Sequence, residues 1–494
     1  MPIFLLLLTA ALAQAQQYRA FWADAFHSGY KSPAEVDQLI ENLTAARANA
    51  IFVQTRRRAD VYYRSEVEPP AQDATLSPNF DALGYLIERA HRAGIEVHAW
   101  AVVYPVWPGT IAPPRDPNHL YYRHGPAAPP EQQWWTMSST GVRGASLDPG
   151  HPDVMRYLAK VILEPLEKYD VDGVHLDYIR YPEDASYGYN WKAMERFLRQ
   201  ENRAVIPARN DPQFSEFRRK QVTSLMRQIY LRAHALKPAV KVSAALITWG
   251  NGPLTDAAFR GTDAYVTVFQ DWVSWMQEGI LDLGMPMNYF RERTNASFFD
   301  RWIEFQKDRQ FQRGILIGPA VYLNPIADSI AQLRRALAPS AAGNTPLGVS
   351  FYSYATTNLE TAGAPTEPNA DFYNAVGAFF GTRAEVPQLP WLTQPTAGHL
   401  MGEVRIAGAA DWADGLTVRI ESDTREGEVR QVTTDGTGFF GAVDLAPDRY
   451  RVTVERSGVL WYRFVPQDVI AGRVTKFEVD LKPEDLPGMI PTGQ

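Results

Sequence analysis

Short apolar runs that break off in charged or aromatic residues recur along this chain, and helical patterns separate them. The clearest run is Asp172-Gly173-Val174-His175-Leu176-Asp177-Tyr178-Ile179-Arg180-Tyr181-Pro182. Val, His, Leu and Ile without a turn residue among them suit a strand covered on both faces, as in a parallel sheet. A carboxylate, a guanidinium and phenols crowded where the run stops are poorly explained by packing. Asp177 could cap the next turn or pair structurally with Arg180, but its place between aromatics favours a chemical role.

The same rhythm runs from residue 19 to residue 380. Arg19-Ala20-Phe21-Trp22-Ala23 predicts a first strand leading to Asp24 and His27. Ser32-Pro33-Ala34-Glu35 then opens a helix, with Ser as cap, Pro at the first position and Glu three residues after the cap. Further strands are predicted at 50–54 (ending at Arg56), 95–103, 172–177, 240–246 (ending near Trp249) and 263–269 (leading to Asp271 and Trp272). The last three are at 281–287, 314–318 and 347–353, ending at Tyr289, Tyr322 and Tyr354. Helical spacing appears around 80–87, 152–168, 222–229 and 372–379. About eight or nine strand candidates alternating with helices predict a (β/α)8 barrel of the TIM type over residues 17–387. No glycine-rich phosphate loop follows an early strand, which disfavours an open dinucleotide-binding sheet.

Residues 388–395, with Pro390 and Pro395, read as a linker. From 396 to 485 the pattern changes to short alternating runs such as Leu416–Ile420 and Tyr450–Val454, which suit a small all-β sandwich. Gly436 to Gly441 spells G-x-G-x-x-G, but no helix follows it, so it reads as a hairpin feature. A chain ended at about Leu389 is expected to keep a folded, active barrel, and residues 486–494 read as a tail.

Composition narrows the function. The chain has 494 residues and a net charge of -7, so nucleic acid is not an expected partner. Residues 1–16 hold an apolar run followed by Ala11-Leu12-Ala13 and Ala13-Gln14-Ala15, which read as a cleaved secretory signal. Export to the periplasm or the exterior is the expectation, and no later segment approaches the ~18 apolar residues of a membrane helix. There is no cysteine, so disulfides, thiolate metal sites and a lipid-bearing cysteine are not expected. H-E-x-x-H and G-x-S-x-G are missing. Neither a metal nor a cofactor is expected, and oligomeric state is not legible.

In a barrel of this kind the strand ends share one mouth. That mouth would gather Trp22, Asp24, His27, Arg56, His98, Tyr104, Asp177, Tyr178, Arg180, Trp249, Asp271, Trp272, Asn288, Tyr289, Tyr322 and Tyr354. Flat rings stack on sugar faces, and carboxylates supply acid and base. Glycoside cleavage needs two carboxyls, one ionised and one protonated. Asp177 is expected to be the ionised one, held down by Arg180. Its acid partner is either Asp271, beside the apolar face of Trp272, or Asp24, and the residues do not choose.

The opening Arg19–His27, the Asp172–Pro182 motif, Phe269-Gln270-Asp271-Trp272 and Met285-Pro286-Met287-Asn288-Tyr289 together resemble the glycosyl hydrolase-like family ten domain of bacterial envelope proteins. The resemblance covers about residues 17–385. It implies a (β/α)8 barrel and a glycosidase-like activity, with peptidoglycan glycan strands stripped of their stem peptides as the leading substrate. Val432–Gly436 through Tyr450–Val452 resembles carboxypeptidase regulatory-like sandwiches. Two readings follow: a glycoside hydrolase cleaving O-glycosidic bonds of a cell-wall polysaccharide, or a non-catalytic carbohydrate-binding envelope protein.

Overall fold

The computed structural model describes residues 16–359 and 368–487. Nearly all of the expected signal segment and most of the tail lie outside the described residues. Eight parallel strands close into a barrel: β1 (Tyr18–Ala23), β2 (Ala50–Arg56), β3 (Glu96–Val102), β4 (Gly173–Asp177), β5 (Lys241–Leu246), β6 (Leu283–Asn288), β7 (Gly314–Pro319) and β8 (Gly348–Tyr352). Each pairs with its neighbours in chain order, and β8 returns to β1 with Tyr18 opposite Gly348 and Trp22 opposite Tyr352.

The outer layer is built from α1 (Pro33–Ala45), α2 (Ala82–Arg92), α3 (Pro152–Lys168), α4 (Pro212–Leu236), α5 (Trp272–Glu278), α6 (Glu292–Lys307), α7 (Ile326–Leu337) and α8 (Asn369–Phe380). The start of α1 is the capped one the sequence calls for: Ser32 accepts from the Glu35 N–H and Pro33 takes the first turn. The segment 263–269 differs from its expected strand. Asp263–Val266 is one helical turn, and β5 pairs directly with β6, so the barrel has no slot for a further strand. A short apolar run does not reveal its periodicity, and burial of Val268 and Phe269 serves a loop equally well.

Inside the barrel the side chains form a packed aromatic layer. Phe52 stacks on His98 at 4.3 Å, and Trp22 meets His175 at 4.5 Å and Trp100 at 5.1 Å. His98, expected at the mouth, therefore lies in the lumen, fully buried. At the opposite end the supposed linker is a stopper. Leu389, Trp391 and Leu392 join the same interior cluster as Tyr18, Leu283 and Leu316, and the Trp391 indole donates to Asp282 at 2.7 Å.

The C-terminal domain has two sheets. Gly398–Ile406 lies between Phe439–Leu445 and Val474–Leu481; the other sheet orders Val429–Thr433, Thr417–Ser422, Asp448–Arg456 and Val459–Arg463. Leu400, Val418, Phe440, Val452 and Phe477 form its own core. Its contact with the barrel is extensive. Met401, Phe439 and Val443 belong to the apolar cluster under the barrel helices. Arg196, on the helix Trp191–Gln200, is 1 % exposed and makes two bonds of 2.9 and 3.0 Å to Asp414. It passes over Gly436, where a Cβ would come within 2.4 Å of the guanidinium. Gln228 donates to Asp435 at 2.8 Å, and Arg313 to Asp444 at 2.7 Å.

Candidate functional site

Asp24 follows β1 directly and turns the chain back on itself. One carboxylate oxygen accepts from the backbone N–H of Phe26 at 2.8 Å and of His27 at 3.1 Å, and the His27 Nδ1 lies 2.9 Å away. The Asp24 side chain is buried beneath an exposed His27. The turn is fixed from the side by Gln54, whose carbonyl accepts from the Ala25 N–H at 2.8 Å.

Asp177 ends β4 and is 5 % exposed. It accepts from the N–H of Tyr178 at 2.7 Å and faces the Arg180 guanidinium at 3.4 Å. Tyr178 takes a positive φ of 52°, which a non-glycine residue adopts at a cost, and this sharp exit leaves its ring partly exposed at the rim. Arg180 then lies 3.9 Å over that ring. Burial pushes the Asp177 carboxyl above its ordinary range, and Arg180 only partly opposes this. This corrects the expectation that Arg180 would hold it down. Sequence proximity of an arginine was legible, but the loss of water around the carboxyl was not.

Both carboxylates line one cleft of about 310 Å³, with Gln54, Arg58, Trp100, Tyr178 and Tyr352. Pro105, Val106, Ala145 and Ser146 wall one side, so the long segment after β3 shapes the opening. Tyr352 stands close to both acids. Its phenol is pushed far up by burial first and then by Asp24 and Asp177, so it stays protonated and neutral. It stacks on Tyr289 at 5.2 Å, with Tyr322 edge-on at 5.9 Å.

Other expected site residues sit elsewhere. Asp271 caps α5, accepting from the Ser274 hydroxyl at 2.6 Å, and is not among the cleft residues. Trp272 is fully buried against Phe259, Trp302 and Phe305, so it is core and no sugar platform. Arg56 is clamped to buried Glu68 at 2.7 Å, and Asn288 exchanges two 2.9 Å bonds with Gln306. Tyr104 is buried at the root of the loop, Trp22 forms the floor below the cleft, and Trp249 packs against the helix layer. Tyr354 points outward, stacking on Tyr373 and accepting from Asn42. Within β8, Val349 and Phe351 pack on the helix layer, so alternation turns Tyr352 inward, whereas Tyr354 lies past the end of the strand and outside its alternation. Tyr352, Trp100, Gln54 and Arg58 were missed; the alternation of β8 was the available signal for the first.

These positions separate capping from catalysis. Asp271→Ala should lower stability by about 1 kcal/mol, the typical loss of an N-cap, with turnover unchanged. Thermal unfolding beside an activity assay checks both halves.

Comparison with known proteins agrees with this architecture. The family described as glycosyl hydrolase-like 10 matches residues 17–332. Glycosyl hydrolase YngK of Bacillus subtilis is 26% identical over 376 residues, covering 72% of this chain and 69% of YngK. Glycosyl hydrolase DigH of Escherichia coli is 27% identical over 304 residues, covering 58% of this chain and 65% of DigH, just under two thirds. The PgaB glycoside hydrolase domain of Bordetella bronchiseptica has a similar fold, with TM-score 0.51 at 16% identity over 73% of this chain and 98% of that domain. A β-galactosidase of Bacillus circulans gives TM-score 0.52 at 11% identity over 80% of this chain and 59% of its own. Identities this low speak for the fold alone. The family match spans most of the barrel, both site carboxylates included, and on that footing the chain belongs to the glycosyl hydrolase-like 10 family and is a glycosidase.

Proposed function

We propose that this enzyme cleaves O-glycosidic bonds in an acidic polysaccharide outside the cytoplasm, with peptide-stripped peptidoglycan strands as the leading substrate. The observation that carries the reading is that Asp24 and Asp177 line one cleft and differ in surroundings. Two carboxyls whose environments differ are the acid and base assignment a glycosidase needs. Asp177, buried and pushed up, serves as the proton donor to the leaving oxygen. Asp24, whose Oδ1 accepts from the Phe26 and His27 backbone N–H groups with the His27 Nδ1 2.9 Å away, takes the role of nucleophile or base. The neutral Tyr352 phenol beside both is a donor for a sugar hydroxyl or for the ring oxygen's neighbour, and the partly exposed Tyr178 offers a ring for stacking.

Arg58 supports the acidic substrate. Its guanidinium lines the cleft and makes no ion pair with a carboxylate among the described residues. Glycan strands that have lost their peptides carry free carboxylates on alternate sugars, which such a cation would meet. The apolar start of the chain supports export.

Purified protein incubated with peptide-stripped strands and with neutral polysaccharides tests the proposal. Oligosaccharides should be released from the acidic strands, and Arg58→Ala should lose about tenfold in kcat/KM on them, mostly through KM. Absence of product from every polysaccharide, with the protein folded, would sink it.

A further inference from the structure

A second cavity, about 610 Å³, opens between α4, the helix Trp191–Gln200 and the C-terminal sheet that contains Val429–Thr433. We infer that this cavity is an accessory glycan site, holding a carboxylated polysaccharide segment away from the catalytic mouth. It rests on different residues from the barrel cleft and stands or falls independently of the activity proposed above.

Charge is the first argument. The carboxylates on its walls, Asp414 and Asp435, are already engaged. Asp414 accepts from Arg196 twice, from Arg199 and from Gln200. Asp435 is buried, accepts from Thr437 and Gln228, and is pushed up by that burial. Lys220 and Arg456 make no ion pair among the described residues, and Arg199 and Arg456 repel one another across the gap. Lys220 and Arg456, cations on the walls of one cavity with no ion pair of their own, form a place that an anion would neutralise in a chain of net charge -7.

The walls between these cations identify the rest of the ligand. The side chains of Ser224, Gln431 and Thr433 line the cavity and have no protein hydrogen-bond partner among the described residues. They are free to meet sugar hydroxyls. Beside them Trp412 is 39% exposed, lies 4.7 Å from the Arg456 guanidinium and accepts from it through its carbonyl at 2.8 Å. The exposed part of this indole, which also stacks on Trp461 at 6.3 Å, offers apolar surface to a ring whose carboxylate reaches that cation.

Calorimetric titration of the full chain with an oligogalacturonate tests this, alongside a neutral cello-oligosaccharide of equal length, inorganic phosphate and a single-stranded oligonucleotide. The oligouronate should bind preferentially, weaken as salt rises, and lose at least tenfold in affinity in Lys220→Glu and in Arg456→Gln. Lys220 is exposed, so its variant should keep the wild-type melting temperature and turnover and remain interpretable if Arg456→Gln loosens the domain. Preference for the neutral sugar, phosphate or oligonucleotide would overturn the inference. So would no binding, or binding that neither variant changes.

Discussion

Asp177→Asn is expected to cut turnover by about 10³-fold or more, since the amide keeps the shape but has no proton to give. Asp24→Asn should fall comparably, and Asp271→Ala should not. The pH profile carries the same information. Turnover in the wild type should decline as pH rises through the elevated pKa of Asp177, because the donor must be protonated. Stability follows with a definite sign. The folded molecule holds this proton to a higher pH than the unfolded chain does, so stability drops as pH rises through that window. The Asn variant cannot lose the proton. It should therefore melt higher than wild type at neutral pH, with the difference vanishing below about pH 4, near the unfolded carboxyl's pKa. Melting curves at both pH values decide the point; equal turnover of Asp177→Asn and wild type would refute the acid assignment.

Ending the chain at Leu389 is expected to abolish the cooperative fold. The truncation removes Asp414 from Arg196, Asp444 from Arg313 and Asp435 from Gln228, while Trp391 no longer stoppers the barrel. Stripping one partner from a buried ion pair costs about 3–5 kcal/mol, comparable to a large part of a domain's stability. Near-ultraviolet dichroism and a melting curve of residues 17–389 test this. A sharp transition within a few degrees of wild type, with full activity, would instead uphold the separable barrel that the sequence suggests. A smaller probe points the same way: Asp414→Ala should cost about 3–5 kcal/mol, and Arg196→Met with Asp414→Leu should recover most of it.

Barrel strands were legible because parallel strands buried on both faces are apolar throughout and stop at a polar residue, as β4 does at Asp177. The exception, 263–269, is too short for periodicity to show its type. At the mouth, the residues that the structure brings together, Asp24, Asp177, Tyr178, Arg180, Tyr289 and Tyr322, all lie within a few residues of a strand end. Those it disperses have partners far away in sequence: Glu68 for Arg56, Gln306 for Asn288, Tyr373 for Tyr354. Nothing local to Arg56 announces Glu68. The interdomain pairing of Arg196 with Asp414 was likewise invisible, since charged residues in separate patterns look solvated until the elements are docked.

The seam between β1 and β8 also fixes when the molecule can finish folding. Tyr18–Trp22 are made before the rest of the barrel, and their partners Gly348–Tyr352 come only after the six strands β2 to β7. Until then the chain carries an apolar strand with an open hydrogen-bonding edge, the arrangement most prone to pair with a neighbouring molecule. Closing so long a loop is slow, because chain entropy is lost well before the contacts repay it. Recovery of native protein from denaturant is thereby governed by competition between intramolecular seam closure and bimolecular strand capture, and falls as concentration rises whatever the state of the catalytic cleft.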